Sequence, residues 1–98
     1  MFSVKVHKKD NELLLACCDK ELLGKKLQED DFLIHISEGF FGESIVGVEE
    51  YHRLLRQATT ANIFGDKAVD SAVSAGFIDE SSVLNVCGVK HAQLYVMI

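Results

Sequence analysis

The 98-residue chain contains no proline and no tryptophan. Without proline, its seven glycines must do nearly all of the chain-breaking. Cysteine is sparse and unpaired: Cys17, Cys18 and Cys87 are an odd number without C-x-x-C spacing. That pattern excludes a disulfide framework and predicts reduced thiols in a cytosolic setting. Vicinal Cys17 and Cys18 would point to opposite sides of a strand, which disfavours bridging or shared ligation. Uncharged apolar runs are short, and none approaches the roughly 20 residues that cross a bilayer. The start Met1 to Lys9 lacks the apolar core of a secretory signal. The expectation is a soluble, cytoplasmic protein without a membrane partner. A G-x-S-x-G elbow and a Gly-rich lysine loop are also missing, so no cofactor is implied and enzyme status stays open.

What is present reads as one globular domain over residues 1–98. A hydrophobic fraction of 48% with 26% charged residues is enough to build a core and argues against disorder. The net charge of −5 opposes an all-over electrostatic grip on nucleic acid and leaves room only for a local basic patch.

The chain begins with alternation. Phe2, Val4 and Val6 lie on one face and Ser3, Lys5 and His7 on the other, predicting a half-buried strand from Phe2 to Lys8. Turn residues Lys9-Asp10-Asn11 lead into Glu12 to Cys18, an apolar run that suits a strand buried on both faces. Asp19 suits the N-cap of one helical turn, Lys20 to Leu23, stopped by Gly24. Lys25 to Gln28 is a candidate short strand, Glu29-Asp30-Asp31 a solvated turn, and Phe32 to Ser37 a strand with Phe32, Ile34 and Ile36 inward. Glu38 to Gly47, with three glycines, reads as a loop carrying the adjacent aromatics Phe40 and Phe41. One of the two would anchor the loop, and an exposed partner would be a protein-binding handle.

From Val48 to Ala58 the period becomes helical, with Val48, Tyr51, Leu55 and Ala58 inward, His52 and Leu54 beside them, and Glu49, Glu50, Arg53 and Arg56 outward. The polar block Thr59 to Asp66 is read as a turn that opens a second helix, whose stripe is Val69, Ala72, Val73 and Gly76. Val83 to Cys87 and Lys90 to Ile98 complete the chain as strands. The resulting class is α+β, a mixed or antiparallel sheet with two adjacent helices packed on one face. Its predicted core comprises Val4, Val6, Leu13, Leu15, Ile34, Ile36, Leu55, Val69, Val73, Leu94 and Val96.

Three segments, Cys18-Asp19-Lys20-Glu21-Leu22-Leu23-Gly24-Lys25, Ala58-Thr59-Thr60-Ala61-Asn62-Ile63-Phe64-Gly65 and Gly88-Val89-Lys90-His91-Ala92-Gln93, occur in an order and spacing that spans nearly the whole chain. Together they resemble a family of small archaeal proteins known only as a domain of unknown function. The family pattern has proline where Lys90 stands. The resemblance implies an archaeal cytosolic protein of this length, without an assigned reaction and without catalytic residues to carry over.

Two groups of candidate site residues emerge. The first is a ligand set: Thr60, Asn62, Gly65 and Lys67 at a predicted helix N-terminus, where free N–H groups attract anions, with His91 and Gln93 on one face of the last strand beside Tyr95 and Met97. Asp66 in the first helical turn opposes an anion there, since a carboxylate already satisfies the helix dipole. The second is a basic set, Lys5, Lys8 and Lys9 with Lys25, Lys26 and Lys90, which would hold RNA phosphates if the chain brings those ends together. A metal site from Cys87, His91 and one of His7, His35 or His52 lacks the paired short spacings of structural zinc, so no metal is expected. The functional readings are therefore a module bound to RNA or a ribonucleoprotein of the archaeal translation machinery, a metabolite binder or small enzyme using Asn62, His91 and Gln93, and a protein-interaction adaptor.

Overall fold

The computed structural model describes residues 1–96. Strands β1 (Phe2–Lys9) and β2 (Glu12–Asp19) form the expected hairpin. A 3-10 turn at Lys20–Leu22 leads to a small hairpin of β3 (Lys26–Glu29) and β4 (Phe32–His35). A one-turn helix α1 (Glu38–Phe41), strand β5 (Ser44–Val46) and helix α2 (Val48–Gln57) follow. Next come β6 (Thr60–Phe64), α3 (Asp66–Ser74), a 3-10 turn at Glu80–Ser82, β7 (Leu84–Val86) and β8 (Val89–Tyr95). The main sheet is mixed, six strands in the order β5-β1-β2-β6-β8-β7, and β3 and β4 pair apart from it. Among the described residues β2 and β6 run parallel, and the other pairings in the main sheet are antiparallel.

The largest departure from the sequence reading lies in Thr59 to Asp66. The block expected to be a turn opening a helix contains β6, an interior strand of the sheet. Its polarity disguised an alternation: Ala61 and Ile63 enter one core, while Thr60, Asn62 and Phe64 face the other way. Partners on both sides decide the outcome, since β2 and β8 supply backbone hydrogen bonds that no local propensity anticipates. Thr59 starts the strand by trading bonds with Leu13: its N–H donates to the Leu13 carbonyl, and its Oγ1 accepts from the Leu13 N–H.

Two further departures follow the same logic. Glu38 to Gly47 is not a plain loop, because the Ser37 hydroxyl caps α1 and β5 pairs with β1 at the sheet edge. Phe32, Val48 and Val96, expected inside, are 55%, 47% and 48% exposed, because Phe32 and Val48 are the first residues of β4 and α2 and Val96 follows the end of β8. The predicted positions of Met97 and Ile98 lie outside the described residues.

The six-stranded sheet separates two apolar clusters. On one face α2 and α3 cover Val4, Leu15, Cys17, Ala61, Ile63 and Ala92. Tyr51 of α2 is fully buried there, and its hydroxyl donates to the Ala68 carbonyl of α3 at 2.8 Å. Ala68 and Ala72 let α3 lie close against the strands. On the other face a smaller cluster of Ala16, Cys18, Ile36, Phe41 and Phe64 lies beneath α1 and the β3–β4 hairpin. Cys17 and Cys18 thus face opposite cores, as the alternation of β2 requires.

Asp19 joins the halves of the chain. It was expected to cap its own turn, but its side chain makes no bond there. Instead its carboxylate accepts the N–H of Lys67 at 3.1 Å and of Ala68 at 2.7 Å, the free donors at the start of α3. Gly65, at φ +117°, makes this possible: a Cβ there would stand 2.4 Å from the Asp19 carboxyl carbon. Replacing Asp19 by Ala will cost about 2 kcal/mol by unsatisfying two N–H groups. Gly65→Ala will cost roughly 2–3 kcal/mol through clash and backbone strain. Because the clash is with Asp19 itself, Gly65→Ala will cost about 1 kcal/mol less in the Asp19→Ala background. Urea unfolding of the four proteins measures this coupling; strictly additive losses would remove Asp19 as the cause of the glycine requirement.

Candidate functional site

Strand register dictates which side chains share the sheet face opposite α2 and α3. Reading across β1, β2, β6 and β8 gives one row of His7, Leu14, Thr60 and Tyr95. The next row is Lys5, Ala16, Asn62 and Gln93, and the third is Ser3, Cys18, Phe64 and His91. Four candidates of the ligand set, Thr60, Asn62, His91 and Gln93, therefore meet on neighbouring strands of one face.

The β1 end of that face is closed. Ser3 Oγ donates to the Phe41 carbonyl and Lys5 Nζ to the Gly39 carbonyl. His7 Nε2 bonds the Phe40 carbonyl at 2.9 Å, and its ring stacks on Phe40. The polar side of β1 thus serves to hold α1 down. Phe41 is buried and Phe40 half-buried, so neither ring is a free handle.

The β6–β8 end stays open. His91 Nε2 donates to Asn62 Oδ1 at 3.0 Å, which leaves Nδ1 as an acceptor. Its ring stacks on Phe64 with centroids 4.1 Å apart. Tyr95, 67% exposed, donates its hydroxyl to Gln93 Oε1 at 3.1 Å. Among the described residues, neither the Asn62 nor the Gln93 side-chain nitrogen donates a hydrogen bond. The strip therefore offers two amide donors, an imidazole acceptor and an accessible aromatic ring.

Gly65 and Lys67 lie at the start of α3, past the end of β6. The donors expected to attract an external anion are filled by Asp19. Burial pushes the Asp19 carboxyl up from its ordinary value, and the two N–H groups pull it back. Lys67 Nζ stands 3.8 Å from Glu21.

The basic set is dispersed. Lys90 belongs to the helix-covered face and pairs with Asp70 of α3 at 2.7 Å, whereas Lys5 is on the opposite face, tied to Gly39. Lys8 and Lys9 are exposed at the tip of the β1–β2 hairpin, and Lys25 and Lys26 are exposed at the base of the β3–β4 hairpin.

Nucleophile chemistry has little support beside the strip. Cys17 and Cys18 are buried, and burial pushes the Cys18 thiol up to about 12 and Cys17 higher still. Thiols so placed are poor nucleophiles. Cys87 sits apart, in the β7–β8 turn. The histidines are also separated: His52 bonds Ser71 between α2 and α3, and among the described residues no three of His, Cys, Asp and Glu group as metal ligands.

Sequence reasoning missed Asp19 as the internal ligand of α3 and Phe64 as the support under His91. The alternation of Ala61 and Ile63 against Asn62 and Phe64 was the available signal for both strand and site.

Burial lowers the pKa of His91 from its ordinary 6.5. The unfolded chain then takes up a proton more readily than the folded one. The neutral imidazole's contribution is present in full above about pH 6.5 and is lost as pH falls through the folded-state pKa. Urea midpoints of the native protein will therefore fall between about pH 7 and about pH 5. His91→Gln will flatten that slope; an unchanged slope would show that His91 does not carry it.

The comparisons agree with this architecture. No match is found among curated proteins. A solved structure, described as an uncharacterized conserved protein from the archaeon Methanopyrus kandleri, superposes with a TM-score of 0.84. It is 26% identical, over 98% of this chain and 91% of that one. A family model described as "Protein of unknown function (DUF424)" matches residues 7–97, and the chain belongs to that family.

Proposed function

We propose that this protein is a cytoplasmic binding module of the archaeal RNA or translation machinery, and that it takes exposed bases of single-stranded RNA on its open sheet strip. The observation that carries this reading is the convergence of Thr60, Asn62, His91, Gln93 and Tyr95 on two adjacent strands of one face. Strands lie about 4.8 Å apart and alternate residues about 7 Å apart, so the strip matches a nucleobase in size. Side-chain amides pair with the donor and acceptor edges of bases, and an exposed ring gives every base a stacking surface. Three free cysteines, two of them buried, fit a reducing compartment.

The charge distribution favours this form of RNA binding over a lysine-driven one. The net charge is −5, and Lys90 is paired with Asp70. The exposed lysines are split between the β1–β2 hairpin tip (Lys8, Lys9) and the base of the β3–β4 hairpin (Lys25, Lys26), so they form no single patch for phosphates. Stacking and hydrogen bonding must supply most of the affinity, and the salt dependence will be shallow. A planar metabolite would use the same amides, which makes ligand length the discriminating variable.

Titration of single-stranded RNA oligonucleotides of increasing length, followed by chemical shifts, tests the proposal. Tyr95→Ala will weaken binding by about 5- to 100-fold, the usual worth of one stacked base. Gln93→Ala will weaken it several-fold, and both exposed positions will leave stability unchanged. Lys8→Glu with Lys9→Glu will have the smaller effect. Binding that survives Tyr95→Ala but vanishes on lysine reversal would move the site to the hairpin tip. No binding at low salt would end the RNA reading, and binding of a free base as tight as an oligonucleotide would favour the metabolite.

A further inference from the structure

A second surface lies between two turns distant in sequence. The β3–β4 turn and the β7–β8 turn enclose a cleft of about 460 Å³. One wall is Glu29, Asp30 and Asp31 with Phe32; the other is Asn85, Val86 and Cys87. The walls approach at Cys87, whose sulfur is 3.9 Å from the Phe32 carbonyl oxygen. Both turns are two-residue hairpin connections with positive φ at the first position, Asp30 at 53° and Cys87 at 53°. Short connections of this kind hold the rims in fixed positions.

Two independent properties mark the cleft as a recognition surface. The first is uncompensated charge. Glu29, Asp30 and Asp31 are consecutive and exposed, and among the described residues no cation pairs with any of them. The second is exposed apolar area. Phe32 is 55% exposed at the rim, and Leu84 is 61% exposed on the same face of β7 as Val86. An apolar track bordered by carboxylates is thus left in water.

We propose that this cleft docks a basic segment of a partner protein, with an apolar side chain of that segment seated against Phe32 and Val86 and its lysines or arginines against Glu29, Asp30 and Asp31. Charge complementarity selects this occupant. RNA phosphates would be repelled by the three carboxylates, and a second copy would bring an identical acidic wall against them. The proposal does not depend on the sheet-strip reading, because it uses other residues and another ligand chemistry.

The probe is a synthetic peptide alternating arginine and leucine, with a control peptide carrying glutamate for arginine, titrated into isotope-labelled protein. The expected result is chemical-shift change confined to residues 29–32 and 84–88 with the arginine peptide alone, weakening as salt rises. Glu29→Lys with Asp31→Lys will lower that affinity by about tenfold or more at low salt, and Phe32→Ser by several-fold. If the double reversal fails to fold, Glu29→Gln with Asp31→Asn will show a smaller loss in the same direction. Shift changes elsewhere on the surface, equal binding of the glutamate peptide, or affinity indifferent to the neutralised pair would overturn the proposal. Concentration-dependent shifts at these residues without peptide would also overturn it, in favour of a second copy.

Discussion

The carboxylate of Asp19 at the start of α3 is the contact on which the arrangement of this protein rests. Asp19 ends β2, and β2 lies in the sheet beside β6, whose last residue precedes Gly65 and α3. The exit of one strand is thereby fixed against the entry of a helix nearly fifty residues later in the chain. Two N–H groups that a helix start leaves unsatisfied receive a full negative charge, which both meets their hydrogen-bonding need and complements the helix dipole. The arrangement is costly unless complete, since a buried carboxylate without those donors would be poorly solvated. Gly65 completes it by leaving no Cβ in the way.

From that junction the sheet acquires two unlike faces. The face under α2 and α3 is a closed apolar core in which even Tyr51 has its hydroxyl satisfied. The other face is covered at the β1 end, where Ser3, Lys5 and His7 reach carbonyls of the α1 segment, and over Cys18 and Phe64, which lie beneath α1 and the β3–β4 hairpin. Residues that resemble a solvated strand face are therefore structural ties. Beyond that cover, the stretch from Thr60 and Asn62 of β6 to His91, Gln93 and Tyr95 of β8 is half-buried to exposed and gathers the amides, the imidazole and the phenol. Function and cover are complementary here: groups near α1 are consumed by packing, and groups beyond its reach retain unused hydrogen-bonding capacity.

Local chemistry accounts for much of the fold. The β1–β2 hairpin, the double burial of β2, helix α2 and the approximate place of α3 follow from apolar period and turn residues. Short elements did not: α1 and β5 depend on a Ser37 cap and on an edge pairing with β1. The candidate site was legible residue by residue and illegible as a site. Asn62, His91 and Gln93 stand out as polar groups among apolar neighbours, yet local chemistry alone places Asn62 in a turn, where Asn is so often found.

Local pattern along the chain is enough for the class, the two helices, most core positions and membership in a family whose motifs span the chain. Those properties are written in periods of two and 3.6 and in glycine placement, which act over a few neighbouring residues. Tertiary structure alone decided that Thr60 to Phe64 is an interior strand, that Asp19 occupies the helix start, and that Lys5 and Lys90 lie on opposite faces. Each of these depends on which strand lies next to which. Strand pairing is a contact between residues far apart in the chain, and the alternation of a strand then assigns every side chain to one face or the other.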